Sequence, residues 1–322
     1  MQQTLLTTLV SCLVIATSQA TTTTSRQVVR SFVSIAQAEG VGATVRRSIG
    51  HPQLRRLDPF LMLDEFNVAL PGGFPDHPHR GFETVTYLLP ESPGNLLHED
   101  FMGNKGELAP GDLQWMSPGR GILHSEMPAS RDAPAFGLQL WVNLPARLKM
   151  SEPNYQEIPH AGLPRAKQGN VEAIVIAGEA MGKQAAVFTN HPITYIHFLF
   201  SGPATHFHPL PPTHNAFAYV ISGSGRIGGL DVHAHSVVLL SVDATQNGVL
   251  LETTVDGGSM QCVVLSGEPI NEPIEQYGPF VMTTRAELQQ TVADYSHGLN
   301  GFERAPGWSS DIAELAHTHQ EL

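Results

Sequence analysis

The chain has 322 residues, a length typical of about two domains, and 41% of them are hydrophobic. Only 15% are charged, while 30 glycines and 24 prolines divide the chain into short elements, which favours an all-β protein and excludes a helical bundle or a disordered chain. With 18 basic and 30 acidic residues the net charge is −12, so no overall positive field is available to bind DNA or RNA.

Residues 1–28 are predicted to form a leader, because no charged side chain occurs before Arg26. Leu5–Ala16 is an apolar run of the length found in signal peptides, and it is too short to span a membrane. The sequence Ser18-Gln19-Ala20 resembles a small-residue cleavage site, which places cleavage near 20/21. A mitochondrial presequence and a terminus without a targeting role are the alternatives.

The last four residues, His319–Leu322, read HQEL and resemble a KDEL-type retrieval signal. Together with the leader they predict entry into the secretory pathway and residence in the lumen of the endoplasmic reticulum. Residence in the nucleus or cytoplasm is the alternative.

Short β-rich runs separated by glycine and proline begin near Val41. Two tandem β domains are predicted, over residues 29–150 and 151–275, because the polar stretch Pro145–Gly169 shows no periodicity. A His-x-His pair in each half supports a duplication. The predicted strands are Glu83–Leu89, Asp112–Met116, Gly137–Asn143, Val171–Ala177, Tyr195–Phe200, Ala216–Ile221, Ser236–Val242 and Met260–Leu265.

Residues 276–322 are predicted to form a helical segment and tail outside the β domains. Thr284 and Glu287 have the spacing of a capping box, which predicts the start of a helix. Three apolar residues follow at helical spacing: Leu288, Val292 and Tyr295. A second, short helix is predicted over about residues 309–317.

Two pairs of polar residues carry the chemistry: His77 with His79, and His124 with Glu126. On an extended chain, residues two apart project from the same face, so each pair points one way. The glycines of Ser117–Gly121 allow the second pair to turn toward the first. If the two strands oppose each other inside a small barrel, three imidazoles and one carboxylate converge.

Such a donor set suits Fe(II), Mn(II), Cu(II) or Ni(II) in an octahedral arrangement with two open positions. Structural zinc fits less well, because no thiolate is available and structural zinc sites close at four ligands. Turn or surface histidines are the alternative, and the residues alone leave both interpretations open.

The motifs around these residues resemble those of the pirin family, from about Glu39 to near the C-terminus. The segments that carry the resemblance are EGVGATVRRSIG, LDPFLMLDEF, PGGFPDHPHRGFETVTYLL, HEDFMGNKG, GDLQWMSPGRGILHSEMP, GLQLWVNLP, GPFVM and NGFERAPGW. The resemblance implies two tandem cupin (jelly-roll-type) β-barrels with short C-terminal helices. It also implies one iron ion per chain in the first barrel and no metal in the second.

The resemblance assigns the ligands of this iron ion: His77, His79, His124 and Glu126. In other cupins the glutamate of the first motif binds the metal, and that residue here would be Glu83. Pirins use the later carboxylate, so Glu83 is expected to orient a ligand imidazole or to pair with Arg80.

Three histidines in the second half could form a second metal site: His206, His208 and His214. No glycine-rich turn followed by histidine accompanies them, since Asp243–Val249 offers only Asp, Gln and Asn as polar ligands. The resemblance likewise implies a metal-free second barrel. We therefore expect no metal there, and His233 and His235 are expected in turns.

Four arginines form a basic patch in this acidic chain: Arg46, Arg47, Arg55 and Arg56. A solvated surface is the common role of such residues. The resemblance implies instead a surface for a transcription-factor partner, because nuclear pirins contact Rel-family factors nearby.

The resemblance implies an enzyme similar to quercetin 2,3-dioxygenases, which cleave a flavonol ring with O2. The metal would bind the flavonol 3-hydroxyl beside O2, and Glu126 would accept the hydroxyl proton. Apolar walls for this substrate are expected from Phe74, Phe82 and Met116, while Trp115, a fourth candidate, is assigned to core packing. The alternatives are an iron-dependent, redox-responsive transcription co-regulator and a lumenal metal-binding protein without turnover. A monomer is expected.

Overall fold

A computed structural model describes residues 23–254 and 258–316. The predicted cleavage site near 20/21 and the C-terminal HQEL sequence lie outside these residues, so the secretory location stays a prediction. Strands dominate the described chain and one α-helix lies near its C-terminus, which confirms the predicted all-β class. No helix among the described residues is both long enough and apolar enough to cross a membrane.

The first half of the chain builds two antiparallel sheets. Its strands are β1 (Val28–Val33), β2 (Ala36–Glu39), β3 (Ala43–Ile49), β4 (Phe60–Val68), β5 (Phe74–His79), β6 (Phe82–Leu88), β7 (Leu96–Asp100), β8 (Lys105–Leu108), β9 (Leu113–Ser117), β10 (Ile122–Pro128), β11 (Ala135–Asn143) and β12 (Asn154–Ile158), with short 3-10 helices at Ala146–Leu148 and His160–Gly162. One sheet has the order β12-β9-β6-β11-β4-β3-β2 and the other β5-β10-β7-β8.

The second half repeats this plan and ends in a helical segment. Its elements are β13 (Arg165–Gln168), β14 (Val171–Ala177), β15 (Glu179–Ala180), β16 (Lys183–Gln184), β17 (Ile193–Phe200), β18 (Ala204–Pro209), β19 (Asn215–Ile227), β20 (Leu230–His233), β21 (Ser236–Leu240), β22 (Gly248–Thr253), β23 (Met260–Gly267), β24 (Glu275–Tyr277), β25 (Phe280–Met282), α1 (Arg285–His297) and a 3-10 helix at Ala313–Ala316. The main sheet runs β1-β21-β19-β23-β17-β14-β13, and β18 pairs with β22 beside it.

Each of the eight predicted strands is present, as β6, β9, β11, β14, β17, β19, β21 and β23. Two strands cross the predicted division between the domains. The first strand, β1, pairs with β21 of the second half, and β12 pairs with β9 of the first half. The stretch Pro145–Gly169, which has no sequence periodicity, therefore supplies an edge strand to each half, namely β12 and β13.

A continuous apolar core joins the two halves. Phe60 from the first half and Phe217 from the second are fully buried and meet edge to face, with ring centroids 5.4 Å apart. Trp115 is buried in the same cluster, which confirms its assignment to core packing. Tyr87 crosses the same interface, and its hydroxyl group lies 3.1 Å from Nδ1 of buried His197. The halves are thus held mainly by apolar burial, with few polar contacts between them.

The C-terminal helix α1 begins with the predicted capping box. Thr284 Oγ1 accepts from the backbone N–H of Glu287 at 3.2 Å, and Oε2 of Glu287 accepts from the backbone N–H of Thr284 at 2.9 Å. Leu288 and Tyr295 pack against a core cluster of the first half, as the spacing predicts. Val292, the third apolar residue of this spacing, is 36% exposed. The second predicted helix is a single 3-10 turn.

We predict that Phe217→Ala lowers the free energy of unfolding by about 3–5 kcal/mol, because a large cavity would open in the core shared by both halves. Urea denaturation followed by tryptophan fluorescence measures this. Phe188→Ala is the matched control, since that ring is 72% exposed and its loss is expected to cost less than about 0.5 kcal/mol. Equal losses in the two variants would contradict the shared core.

Candidate metal centre

The two predicted residue pairs lie on neighbouring antiparallel strands. In the register between β5 and β10, His77 faces His124 and His79 faces Ile122. The register shifts between His124 and Glu126, where the strand carries an irregularity of the β-bulge type. The alternation of an extended chain therefore turns all three imidazoles to one side of the smaller sheet, as the sequence predicts.

The three imidazoles form a compact cluster. Their candidate ligand atoms all lie within 4.8 Å of one another, and the Nε2 atoms of His77 and His124 are 3.0 Å apart. The ring centroids are separated by 4.4 to 4.9 Å, and the planes are strongly inclined to one another. Inclined rings whose nitrogens converge have the arrangement required to share a single ion.

Burial favours the neutral form of two of the three imidazoles, which is the form that a metal requires of its ligands. Burial lowers the pKa of His79 and of His124 well below the usual value, and the neighbouring imidazoles lower it further. Nδ1 of His77 lies 2.8 Å from the carbonyl oxygen of Pro75. When Nδ1 donates a hydrogen bond to that oxygen, the lone pair of Nε2 is available to a metal. Both ring nitrogens of buried His79 lack a hydrogen-bond partner among the described residues. A divalent cation of the borderline class fits this unsatisfied set of nitrogen donors.

Glu126 lies beside the imidazole cluster. Its carboxylate forms hydrogen bonds with two residues that the sequence analysis did not identify. Thr86 Oγ1 lies 2.8 Å from Oε1 of Glu126, and Gln139 Nε2 donates to Oε2 at 3.1 Å. The carboxylate does not belong to the group of ligand atoms within 4.8 Å of one another. Thr86 and Gln139 face each other on β6 and β11 of the larger sheet. Only knowledge of that strand pairing could have identified them.

A cleft of about 1330 Å³ opens onto the cluster. Its lining includes His77, His79 and Glu126, so both imidazole and carboxylate groups are accessible from it. The main apolar residues of its walls are Val45, Met62, Phe66, Phe74, Leu96 and Trp141. A largely apolar cleft with a few convergent polar groups at one point is typical of a small-molecule site.

Only one of the apolar wall residues predicted for this cleft lines it, namely Phe74. Phe82 is fully buried behind the cluster, where its ring lies 5.2 Å from His79 and 4.5 Å from Trp141. Met116 packs in the cluster that receives the C-terminal helix. The expectation that Phe82 and Met116 form the wall is therefore wrong. Phe82 supports the imidazole from behind instead.

The expected role of Glu83 is also wrong. Its carboxylate accepts from Ser117 Oγ at 2.5 Å and from Nδ2 of Asn190 at 2.8 Å, so it neither orients a cluster imidazole nor pairs with Arg80. Asn190 belongs to the second half of the chain. Glu83 thus joins the two halves, a role that needs a partner 107 residues away and cannot be read from the local motif.

Arg80 instead anchors the C-terminal segment behind the histidine strand. Its Nη1 atom pairs with Oδ2 of Asp294 at 2.8 Å, and both side chains are almost completely buried. Asp76, at the other end of the motif, accepts from Ser125 Oγ at 2.6 Å and from the backbone N–H of Ser310. Asp76 and Arg80, on either side of the two histidines, are therefore tied to the C-terminal segment.

The second half keeps the His-x-His pair but not its partners. His206 and His208 lie on β18, and His206 faces Leu251 of β22, where the first half has His124 facing His77. Two positions along β22, Thr253 stands where Glu126 stands in the first half. Within residues 23–254 and 258–316, no group of three or more ligands includes either histidine. The duplicated barrel thus has an apolar residue, Leu251, at the third ligand position, and the absence of a metal there stays a prediction.

The four arginines of the predicted patch do not share one surface. On β3, Arg46 faces Glu65 and Arg47 faces Asp64, and adjacent side chains of a strand point to opposite faces. Arg47 lies inside the cleft, where it pairs with Asp64 at 2.6 Å, whereas Arg46 lines a separate cavity of about 360 Å³. Arg55 lines the mouth of the larger cleft together with Arg56. The four arginines are therefore divided between two faces, and a transcription-factor partner stays a prediction.

A family model described as pirin matches residues 42–142, and one described as the pirin C-terminal cupin domain matches residues 195–301. The chain is 49% identical to a pirin-like protein of Solanum lycopersicum, over 88% of this chain and 96% of that protein. It is 48% identical to pirin of Homo sapiens, over 89% and 98% respectively.

Two solved structures show the same architecture. One is a quercetin 2,3-dioxygenase from Acinetobacter baumannii, 30% identical, with a TM-score of 0.76 over 85% of this chain and 98% of that one. The other is a bacterial pirin from Escherichia coli in complex with nickel(II), 18% identical, with a TM-score of 0.59 over 74% of this chain and 100% of that one. The latter likeness shows the fold alone.

We predict that His79→Ala reduces the bound metal from about one ion per chain to less than about a tenth, because removal of a ligand costs more than the 10–100-fold loss typical of a residue that only supports one. Inductively coupled plasma mass spectrometry after dialysis measures the metal content, and circular dichroism checks the fold. His208→Leu is the matched control in the second barrel and should leave the metal content unchanged. Full retention of metal in His79→Ala would contradict the site, and loss of half of it in His208→Leu would indicate a second one.

A second prediction concerns pH. Burial lowers the pKa of His208 to about 3, with a smaller effect of the charge of His206, whereas an unfolded histidine titrates near about 6.5. Below about pH 6.5 the unfolded chain binds a proton that the folded chain does not, so stability falls by about 1.4 kcal/mol per pH unit for this group. In protein kept metal-free with chelator, His208→Leu should flatten the decline of unfolding free energy between about pH 6 and pH 4 by that amount. Exposed His233, changed to Gln, is the control, and an unchanged slope in His208→Leu would refute the prediction.

Proposed function

The chain belongs to the pirin family and contains two tandem cupin domains, and from this premise we propose that it is a quercetin 2,3-dioxygenase-like enzyme that uses one Fe(II) ion. The proposed ligands are His77, His79, His124 and Glu126, and Mn(II), Cu(II) or Ni(II) would fit the same donors. The proposed substrates are a flavonol and O2. Ring cleavage of the flavonol is the proposed reaction.

One observation carries this proposal: the imidazole cluster opens into a cleft rather than being sealed. His77, His79 and Glu126 all line the cleft of about 1330 Å³. A purely structural metal site would be closed by protein ligands on all sides. The apolar rings of Phe74 and Trp141 along the same cleft favour a flat aromatic ligand. The dioxygenase from Acinetobacter baumannii, with its TM-score of 0.76, supports the same reaction class.

The donor set fits the proposed ion. Two imidazoles held neutral by burial, and a third whose Nε2 atom is free when Nδ1 donates to Pro75, offer three nitrogen donors to one point. Bound there, Fe(II) would supply the positive charge that lowers the pKa of a coordinated hydroxyl group and the redox chemistry needed for O2. The protein supplies orientation, exclusion of water and a place for the released proton.

Glu126 is the proposed acceptor of the flavonol hydroxyl proton. Thr86 Oγ1 lies 2.8 Å from Oε1 of Glu126 and 2.9 Å from Oε1 of Gln139, and the threonine hydroxyl has one proton for these two acceptors. Gln139 Nε2 closes the ring by donating to Oε2 of Glu126. When Glu126 accepts a proton, its O–H can donate to Thr86 and the Thr86 hydroxyl to Gln139. The ring then has a donor for every acceptor, so the proton is held without a rearrangement of side chains.

We predict that Glu126→Gln lowers the rate of quercetin-dependent O2 uptake by about 100-fold or more, because a positioned general base contributes about 10²–10⁴ to the rate. Uptake is measured with an oxygen electrode on protein loaded with Fe(II) under anaerobic conditions, at matched iron content. Glu107→Gln, an exposed change on β8 of the same barrel, is the control and should retain the wild-type rate. A Glu126→Gln rate within about threefold of wild type at equal iron content would remove Glu126 from this role.

A further inference from the structure

Three arginines line the mouth of the cleft, and two separate parts of the chain bring them together. Arg30 lies on β1, whereas Arg55 and Arg56 lie in the connection between β3 and β4. The guanidinium group of Arg30 donates to the backbone carbonyl of Gln53, and Arg56 donates to that of Ile274 at 3.3 Å. Neutral carbonyl groups thus fix the orientation of two of these side chains without cancelling their charge.

The charges at the mouth are not balanced by nearby carboxylates. Among the residues that the structure describes, none of the arginines at positions 30, 55 and 56 forms an ion pair. Arg47, deeper in the cleft, is different, because Asp64 and Glu39 both pair with it. The mouth therefore carries three positive charges in a chain whose net charge is −12. A concave opening lined by one sign of charge attracts ligands of the other sign.

The size of the cleft also favours a ligand that extends from the histidines toward the mouth. Its volume of about 1330 Å³ exceeds the roughly 300–1,000 Å³ of a typical drug-sized pocket, so a flavonol bound at the histidine end leaves room toward the mouth. Gln53 and Gln276 line the cleft beside the arginines and offer neutral hydrogen-bond donors. Guanidinium and amide donors together are suited to the oxygen atoms of a sulfate or carboxylate group.

We propose that the mouth of the cleft is a subsite for an anionic substituent, and that the preferred substrates are sulfated or carboxylated flavonol-type aromatics rather than the bare ring system. The proposal rests on the proposed function, because it places the oxygenated ring of the ligand at the metal end. Arg55 and Arg56 would bind the anionic group, with Arg30 adding its charge from β1.

A small ligand fits these observations better than an acidic protein. The arginines line the same cleft as His77 and His79, so one continuous cavity connects the two groups. Arg46, which a continuous basic surface would need, faces another cavity. The charge is concentrated at an opening instead of being spread over a face.

The test compares two ligands of similar size with a free 3-hydroxyl group: quercetin 7-sulfate and its neutral counterpart, 7-O-methylquercetin. Isothermal titration calorimetry under anaerobic conditions gives both dissociation constants for the full chain, loaded with Fe(II) and also metal-free, at low and high NaCl. The variants are Arg55→Glu/Arg56→Glu and the control Arg147→Glu/Arg285→Glu. The control makes the same change in net charge at exposed residues outside the cleft.

We expect the sulfate to bind about 2–30-fold tighter than the methyl ether in wild type, since each of the two arginines that bind it contributes about 1.4–5-fold. This ratio should fall to about one or below in Arg55→Glu/Arg56→Glu, stay high in the control, and decrease with NaCl. Equal binding of the two ligands in wild type, or the same loss of the ratio in the control, would overturn the subsite. A hexaglutamate peptide that binds the wild type more tightly than the sulfate, without displacing quercetin, would assign the arginines to an acidic protein partner and also overturn it.

The outcomes separate this inference from the proposed function. Discrimination between sulfate and methyl ether without any O2 uptake would support the subsite and refute the oxygenase reaction. Turnover of both ligands at equal affinity would support the reaction and refute the subsite. If no flavonol binds, both fail.

Discussion

Three imidazoles that share one small volume, two of them buried, are the constraint on which the rest of this structure depends. The Nε2 atoms of His77 and His124 are only 3.0 Å apart, which requires a proton or a cation between them. Burial disfavours a protonated, charged ring at His124. The surrounding chain is arranged to hold the rings in this position. Pro75 fixes the tautomer of His77, Phe82 packs behind His79, and the β5–β10 register sets His124 opposite His77.

The C-terminal segment helps to hold the strand that carries His77 and His79 in place. The buried pair of Arg80 and Asp294 ties α1 to the residue that follows His79, and breaking a buried pair typically costs about 3–5 kcal/mol. Asp76 makes the corresponding contact before His77, with Ser310. A strand that is fixed at both ends cannot shift its register easily, so its ligands remain aligned. The second barrel, with Leu251 opposite His206, has the same topology without the need for this support.

The sequence predicted the strands of both halves, the capping box and the three histidines, because each of these features depends on local periodicity or on residues two positions apart. It failed for side chains whose partners are distant. Glu83 meets Asn190, and Arg80 meets Asp294, 214 residues further along the chain. Thr86 and Gln139 become neighbours of Glu126 only through the pairing of β6 with β11. The division of the four arginines follows from strand alternation, yet their assignment to cleft or surface needed the fold.

In the proposed function, a flavonol binds to a metal held by the imidazole cluster. An anaerobic titration of Fe(II)-loaded protein with quercetin, followed by the absorption band of the flavonol, tests it most directly. The account predicts a shift of the band to longer wavelength that saturates at about one quercetin per iron and is absent in metal-free protein, because a metal lowers the pKa of a coordinated hydroxyl group. The same shift in metal-free protein, or no shift in the loaded protein, would contradict the claim.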